Sequence, residues 1–219
     1  MNQVSDNYKR LLDRIGEAAL RSGRNPDDVR LVGVTKRVDA ARIREAVECG
    51  LTDIGENRIQ EAEEKFPHLE DLEITRHMIG HLQSNKAKKA LQMFAWIQSI
   101  DSLSLAERVG RLAPDPAQVL IQVQLEPEET KTGVDPSGIG GVVEEMRANK
   151  GLELKGLMAI PPFSPDPELV RPLFARLRSL ADKLSLPEVS MGMSHDFEVA
   201  IEEGATIIRV GTALFGARA

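Results

Sequence analysis

A lysine that closes an apolar, β-branched run can form a Schiff base if the chain holds it away from bulk water. Lys36 ends such a run, Val29–Lys36 (VRLVGVTK). Alternate residues of a strand share a face, so Lys36 falls in line with Val32 and Val34. Desolvation at a barrel mouth would favour the neutral, nucleophilic amine. A strand-end lysine reaching into solvent is the commoner arrangement and fits the same residues. Two small-residue turns strengthen the first reading. Met191-Gly192-Met193-Ser194 precedes a helical pattern, with Ser194 as a good N-cap, and Gly211-Thr212 lets backbone N–H groups approach an anion closely. Each turn also has a bland reading, as a helix cap and a tight bend. Arg209 alternates with Ile207 and Gly211 in an apolar strand, where a planar cation needs a partner. That partner is either a carboxylate on a neighbouring strand or a heteroaromatic nitrogen of a ligand whose phosphate fills the cup. An amine, a phosphate cup and an arginine together suggest a pyridoxal phosphate site.

The elements between these groups must bring them together. Val4, Tyr8, Leu11, Leu12, Ile15 and Ala19 recur at helical spacing. Strand-like runs then start near 29, 54, 75, 96, 119, 152, 188 and 206, with helical patterns such as 102–112, 138–149, 169–184 and 196–203 between them. These intervals suit successive parallel βα units. The expected fold is α/β, a (β/α)8 TIM barrel with an extra N-terminal helix, as one domain over 1–219. A doubly wound open sheet is the rival. Few residues follow Gly211, so the N-terminal helix is expected to cover the wall where an eighth helix would lie. In a barrel, ligands bind where strands end. The first strand ends in Lys36 and the second runs into Glu56-Asn57. The third passes through His77 to Gly80-His81, and the sixth ends at Met158 and Pro161.

Composition narrows the classes further. The 219 residues hold 28 Lys+Arg and 34 Asp+Glu, a net charge of −6, which argues against a dedicated nucleic-acid binder. No apolar run is long enough for a membrane span, and the charged N-terminus does not read as a secretory signal. A lone cysteine, Cys49, leaves a reducing, cytoplasmic compartment as the default.

The runs GVTK (33–36), GENRIQE (55–61), HMIGHLQSNK (77–86), KTG (131–133), GLMAIPP (156–162), MGMSHD (191–196) and RVGTALFG (209–216) resemble the pyridoxal phosphate homeostasis protein family. The resemblance runs in order through about residues 29–216. It implies a barrel similar to the N-terminal domain of alanine racemase, with one bound pyridoxal 5'-phosphate. By motif match, Lys36 would be the Schiff-base lysine. Ser194, Gly211 and Thr212 would hold the phosphate, Arg209 would face the pyridine nitrogen, and Asn57, His77 and Met158 would belong to the cofactor pocket. Three positions depart from the family pattern: Arg76 for Trp, Arg58 for Tyr and Gln124 for Asn. They are expected on the pocket rim.

Resemblance to half of a racemase does not imply racemisation, which needs a base on each face of Cα. In racemases the second base is a tyrosine brought by a further domain and a partner subunit. Here the only tyrosine, Tyr8, lies on the N-terminal helix. A cation beside the pyridine nitrogen also weakens the ring as an electron sink. The expectation is therefore a non-catalytic monomer with no catalytic residue of its own. It would buffer the cofactor or deliver it to apo-enzymes, without nucleic-acid or membrane partners. Weak amino-acid racemase activity is the alternative, and a lysine-dependent aldolase is a third reading from the residues alone. His77 and His81 sit on a strand and turn without metal-site spacing, so no metal is expected. Lys86, Lys88 and Lys89 read as a solvated face, Trp96 as packing under helices, and Lys131 as the second-choice amine.

Overall fold

Eight short apolar segments pair in parallel, in chain order, until the last meets the first. The computed structural model describes residues 3–126 and 132–216. Its strands are β1 (Arg30–Val34), β2 (Asp53–Glu56), β3 (Thr75–Met78), β4 (Trp96–Ile100), β5 (Ala117–Gln122), β6 (Leu152–Met158), β7 (Glu188–Ser190) and β8 (Ile207–Val210). They form one closed barrel in the order β1 to β8. Closure is direct: Arg30, Leu31, Val32 and Gly33 register with Ile207, Ile208, Arg209 and Val210. The open-sheet rival is thereby excluded.

Helices α1 (Gln3–Arg21), α2 (Ala40–Glu48), α3 (Ile59–Lys65), α4 (Ala87–Met93), α5 (Leu103–Leu112), α6 (Ile139–Ala148), α7 (Arg171–Lys183), α8 (Phe197–Glu202) and α9 (Thr212–Phe215) surround the strands. Asp39 and Ser102 cap α2 and α5 by accepting from Arg42 N and Leu105 N. With α9 only four residues long, α1 covers the neighbouring wall. Its Asn7 Nδ2 donates to Leu214 O (2.9 Å), and Arg14 grips Glu198 of α8 through two hydrogen bonds (2.9 and 2.8 Å). Its apolar stripe of Val4, Tyr8, Leu11, Ile15, Ala18 and Ala19 is buried.

The core has two parts. A large one lies between strands and helices, and a small one fills the barrel with Val32, Trp96, Leu120, Met158 and Ile207. Trp96 thus departs from expectation: it lies inside the barrel, stacked on His77 (5.7 Å between centroids), not under helices. Six strands also stop short of the runs that suggested them. The runs through Lys36, Ile79, Leu125, Ile160, Met193 and Gly211 leave regular strand at Val34, Met78, Gln122, Met158, Ser190 and Val210. Ladder hydrogen bonds persist a little further, as Ala159 N to Ser190 O (3.1 Å) and Met191 N to Ile207 O (3.0 Å). Gly192, at φ +90°, then turns the chain away.

Candidate cofactor-binding site

Strand register decides which groups meet at the mouth. Val32 lies beside Arg209, which sets Val34 level with Gly211 and Lys36 one step above. On the other side of β8, Arg209 N donates to Gly192 O (2.9 Å) and Gly211 N to Ser194 Oγ (3.2 Å). Lys36, the two turns and Arg209 therefore converge through β1, β8 and β7.

Lys36 is half-buried and follows β1 by two residues. Thr35 N donates to Gly55 O (3.0 Å), extending the ladder to the residue before it. The Thr35 side chain is fully buried on the helix side, where its Oγ1 donates to Glu56 Oε1 (2.7 Å). Lys65 of α3 donates to Thr35 O (2.7 Å) and pairs with Glu56. After Lys36, Arg37 takes a left-handed conformation (φ 57°) and its N–H donates to Glu61 Oε2 (3.1 Å). The lysine is thus clamped on both sides through its backbone neighbours.

Ser194 does not cap the helix that follows it. Asp196 occupies that N-cap position and accepts from Met193 N (2.6 Å), while Ser194 Oγ accepts from Gly211 N and Ala213 N (3.2 Å each). It thereby joins the two turns into one cup. Gly192 is required here: an added Cβ would lie 2.6 Å from Ala200 Cβ, at a φ that L side chains avoid. Gly211 is buried and Thr212 exposed at the rim.

Arg209 is 3% exposed, yet among the described residues it forms no ion pair. The strand-to-strand salt bridge considered for it is absent, and its guanidinium donates to Ser190 Oγ (2.6 Å) and Ala159 O (2.9 Å). Desolvation pulls its pKa down to about 10, with Asp196 pulling the other way, so it remains a cation at neutral pH.

His77 is fully buried, with both ring nitrogens occupied by Asp53 Oδ1 (2.8 Å) and Gln98 Nε2 (3.0 Å). It reaches the site through Gln98 and Ser190. His81 turns elsewhere, to Asp101 (3.0 Å). Met158 forms part of the floor inside the barrel. Asn57 follows β2 and keeps a buried Oδ1 without a hydrogen-bond partner, while its backbone is pressed against Gly80, where a Cβ would lie 2.2 Å from Asn57 O. Of the three family departures, Arg76 is not on the rim. It faces outward over the Phe66 ring (4.6 Å), because its partner across the ladder is the outward Ile54. Gln124 lines a cavity of about 180 Å³ with Gln122, Thr132, Ile160 and Pro161, beside the mouth. Arg58 is exposed at the start of α3. Lys131 lies outside the described residues.

The residues present fit pyridoxal phosphate: an amine at one strand end, N–H donors and a hydroxyl in a cup, a buried cation below, and an orphaned amide oxygen at Asn57. Lys65, Gln98 and Ser190 escaped the sequence reading, and Glu56 was read only as a strand end. For Glu56, Gln98 and Ser190 the signal was a polar residue inside a strand run (DIGE, WIQSI, EVS), whereas Lys65 is one of several charged residues on α3.

The sequence profile described as "Alanine racemase, N-terminal domain" matches residues 7–219. A pyridoxal phosphate homeostasis protein of Aquifex aeolicus is 44% identical, over 97% of each chain. The solved PipY of Synechococcus elongatus, with PLP bound, is 41% identical at a TM-score of 0.83, covering 94% of this chain and 99% of that one. An alanine racemase of Clostridium difficile shares the fold at 16% identity, with a TM-score of 0.74 over 95% of this chain and 56% of its own. With full-length relatives at this identity and the barrel closed as the motifs implied, the chain belongs to the pyridoxal phosphate homeostasis protein family, built on the fold of the alanine racemase N-terminal domain.

Proposed function

We propose that this chain is a single unit that binds pyridoxal 5'-phosphate through a Schiff base on Lys36 and serves intracellular vitamin B6 homeostasis by buffering the cofactor or delivering it to apo-enzymes. The observation that carries this reading is the convergence of Lys36, the Ser194–Gly211 cup and Arg209 through the β1–β8–β7 register. PipY, solved with PLP bound, supports it. When bound, the cofactor supplies an aldehyde and a conjugated ring. The protein's share is to orient Lys36, to donate the Thr212 N–H and the Ser194 hydroxyl to a phosphate, with Gly211 N–H holding Ser194 Oγ in place beside them, and to present the Arg209 cation to the ring nitrogen.

A holding role suits the residues better than turnover. Tyr8, the only tyrosine, is 8% exposed on the outer wall between α1 and the turn at Gly50, away from the mouth. Arg209 facing the ring nitrogen disfavours its protonation and so limits carbanion chemistry. The chain would act as a monomer.

The test is borohydride reduction of the full chain after incubation with pyridoxal phosphate, followed by intact mass and peptide mapping. One reduced adduct on Lys36 is expected. Label on Lys131 instead, or none, overturns the reading. Enantiomer exchange in deuterated solvent that exceeds free cofactor and vanishes in Lys36→Ala would replace holding by racemase activity.

A further inference from the structure

Beneath the site, five polar side chains cross the barrel interior in one chain of hydrogen bonds. Arg209 Nη1 donates to Ser190 Oγ (2.6 Å), and Ser190 Oγ donates to Gln98 Oε1 (2.6 Å). Gln98 Nε2 meets His77 Nδ1 (3.0 Å), and His77 Nε2 meets Asp53 Oδ1 (2.8 Å). The five come from β8, β7, β4, β3 and β2. Ser190, Gln98 and His77 are fully buried, and Asp53 is 7% exposed. Such interiors are normally filled by branched apolar residues, and well-packed apolar substitutes for buried charges are often no less stable. Packing alone does not call for this chain.

The direction of every bond is fixed from the two ends. A guanidinium only donates, so Ser190 Oγ accepts from Arg209 and spends its one hydrogen on Gln98 Oε1. Gln98 must then present its amide nitrogen to His77 Nδ1. At the far end an ionised carboxylate only accepts, so His77 Nε2 carries the hydrogen and Nδ1 is bare. Both ends require the same neutral tautomer of His77, and its burial favours the neutral ring. Asp53 is kept ionised by Thr52 Oγ1 (2.7 Å) and by Arg30 (3.9 Å) in addition to His77. Four hydrogen bonds thus point one way, from a buried cation to a carboxylate across the barrel. Polarisation along such chains strengthens each member.

We propose that Asp53, His77, Gln98 and Ser190 are positioning residues for Arg209: the relay carries the Asp53 negative charge to the guanidinium, fixes its plane, and so sets the cation that faces the cofactor ring. This rests on the reading of Arg209 given above. The relay makes the barrel interior, and not only the mouth, part of cofactor retention.

The test uses the full chain labelled with [15N]histidine, studied by two-bond proton–nitrogen correlation before and after loading with pyridoxal phosphate. His77 is expected as the neutral Nε2–H tautomer, and its Nδ1 signal should move on loading. Ser190→Ala should abolish that movement and speed cofactor release about tenfold, the loss of one hydrogen bond to a charged group. Gln98→Met should do the same, and the double variant should be no worse than either alone. Ser190→Ala removes a single atom, and the native-chain spectrum requires no variant, so a folding failure of Gln98→Met leaves the test intact. A His77 imidazolium, an unmoved Nδ1 in a chain loaded at Lys36, or native release rates in folded variants overturns the relay alone. Absence of loading at Lys36 removes both the relay and the reading beneath it.

Discussion

Replacing Lys65 by Met should loosen the strap that carries Lys36. Lys65 donates to Thr35 O (2.7 Å) and pairs with Glu56, whose side chain is fully buried while that of Lys65 is 11% exposed. Methionine fills much of the same space, so the loss is mainly electrostatic, leaving the Glu56 carboxylate with the Thr35 hydroxyl alone. Removing one member of a buried pair costs about 3–5 kcal/mol, and the residual exposure of Lys65 places this case near 3 kcal/mol. Glu56→Gln keeps the Thr35 contact and leaves a lysine that can reach water, at about 1 kcal/mol. The double variant buries no charge and should lose only about 1–2 kcal/mol, an interaction energy of about 2–3 kcal/mol. Urea unfolding reads this directly, since 3 kcal/mol is roughly a 1 M shift in midpoint. Borohydride trapping at Lys36 should slow in Lys65→Met and recover in part in the double variant. A Lys65→Met midpoint near native, or strictly additive losses, would refute the reasoning.

Three other outcomes are expected. Lys36→Ala should keep its fold and melting temperature while losing all reducible adduct by mass; an adduct retained at native level would move the site to another amine. Gly192→Ala should lose about 2 kcal/mol or more, from its forced φ and the 2.6 Å approach to Ala200, and bind pyridoxal phosphate more weakly in a titration. A native melting temperature would speak against it. Stability should fall on acidification in two windows. Burial pulls His77 below its ordinary 6.5, so the unfolded chain takes up that proton first and stability erodes as pH drops below that value. Burial pushes the Asp53 carboxyl up, but the His77 and Thr52 hydrogen bonds outweigh it. Its depressed pKa adds stability that is present above about 3.8 and lost as pH falls through the folded value. Asp196, raised by burial, works in the opposite sense. His77→Gln should flatten the upper window in urea titrations; an unchanged slope would assign it elsewhere.

The parts of this site that follow from spacing were legible, and those that follow from burial were not. Lys36 showed itself because it ends an apolar run, and Gly192 and Gly211 because small residues at strand ends are rarely neutral choices. The eight-unit rhythm gave the barrel, with strand starts correct within two residues. Trp96 was misplaced because an aromatic at a strand start has the same signature facing the barrel or the helices. Arg76 was misplaced because its side depends on a register shared with Ile54, which a single strand does not reveal. Glu56 and Lys65 are nine positions apart and meet only because α3 folds back over β2. Ser194 lay where a cap was expected, yet its oxygen serves the turn after β8, a contact seventeen residues away.

The two supports of the site lie on opposite faces of the strands, which makes register its real safeguard. Thr35, Glu56 and Lys65 act from the helix side, whereas Ser190, Gln98, His77 and Asp53 act from inside. A one-residue slip of β1 would exchange every side chain between these faces. Val32 and Val34 would turn outward and Gly33 inward. At Gly33 even a Cβ would lie 2.7 Å from Leu51 and 3.2 Å from Leu214, so the helix-side space cannot receive valines. Lys36 would join Lys65 on the helix side, two cations facing the Glu56 carboxylate, and Thr35 would face the mouth. Each of these errors is costly by itself, and they occur together or not at all. Lys36 is therefore directed to the mouth by what its neighbours exclude from the opposite face, as much as by anything the mouth offers.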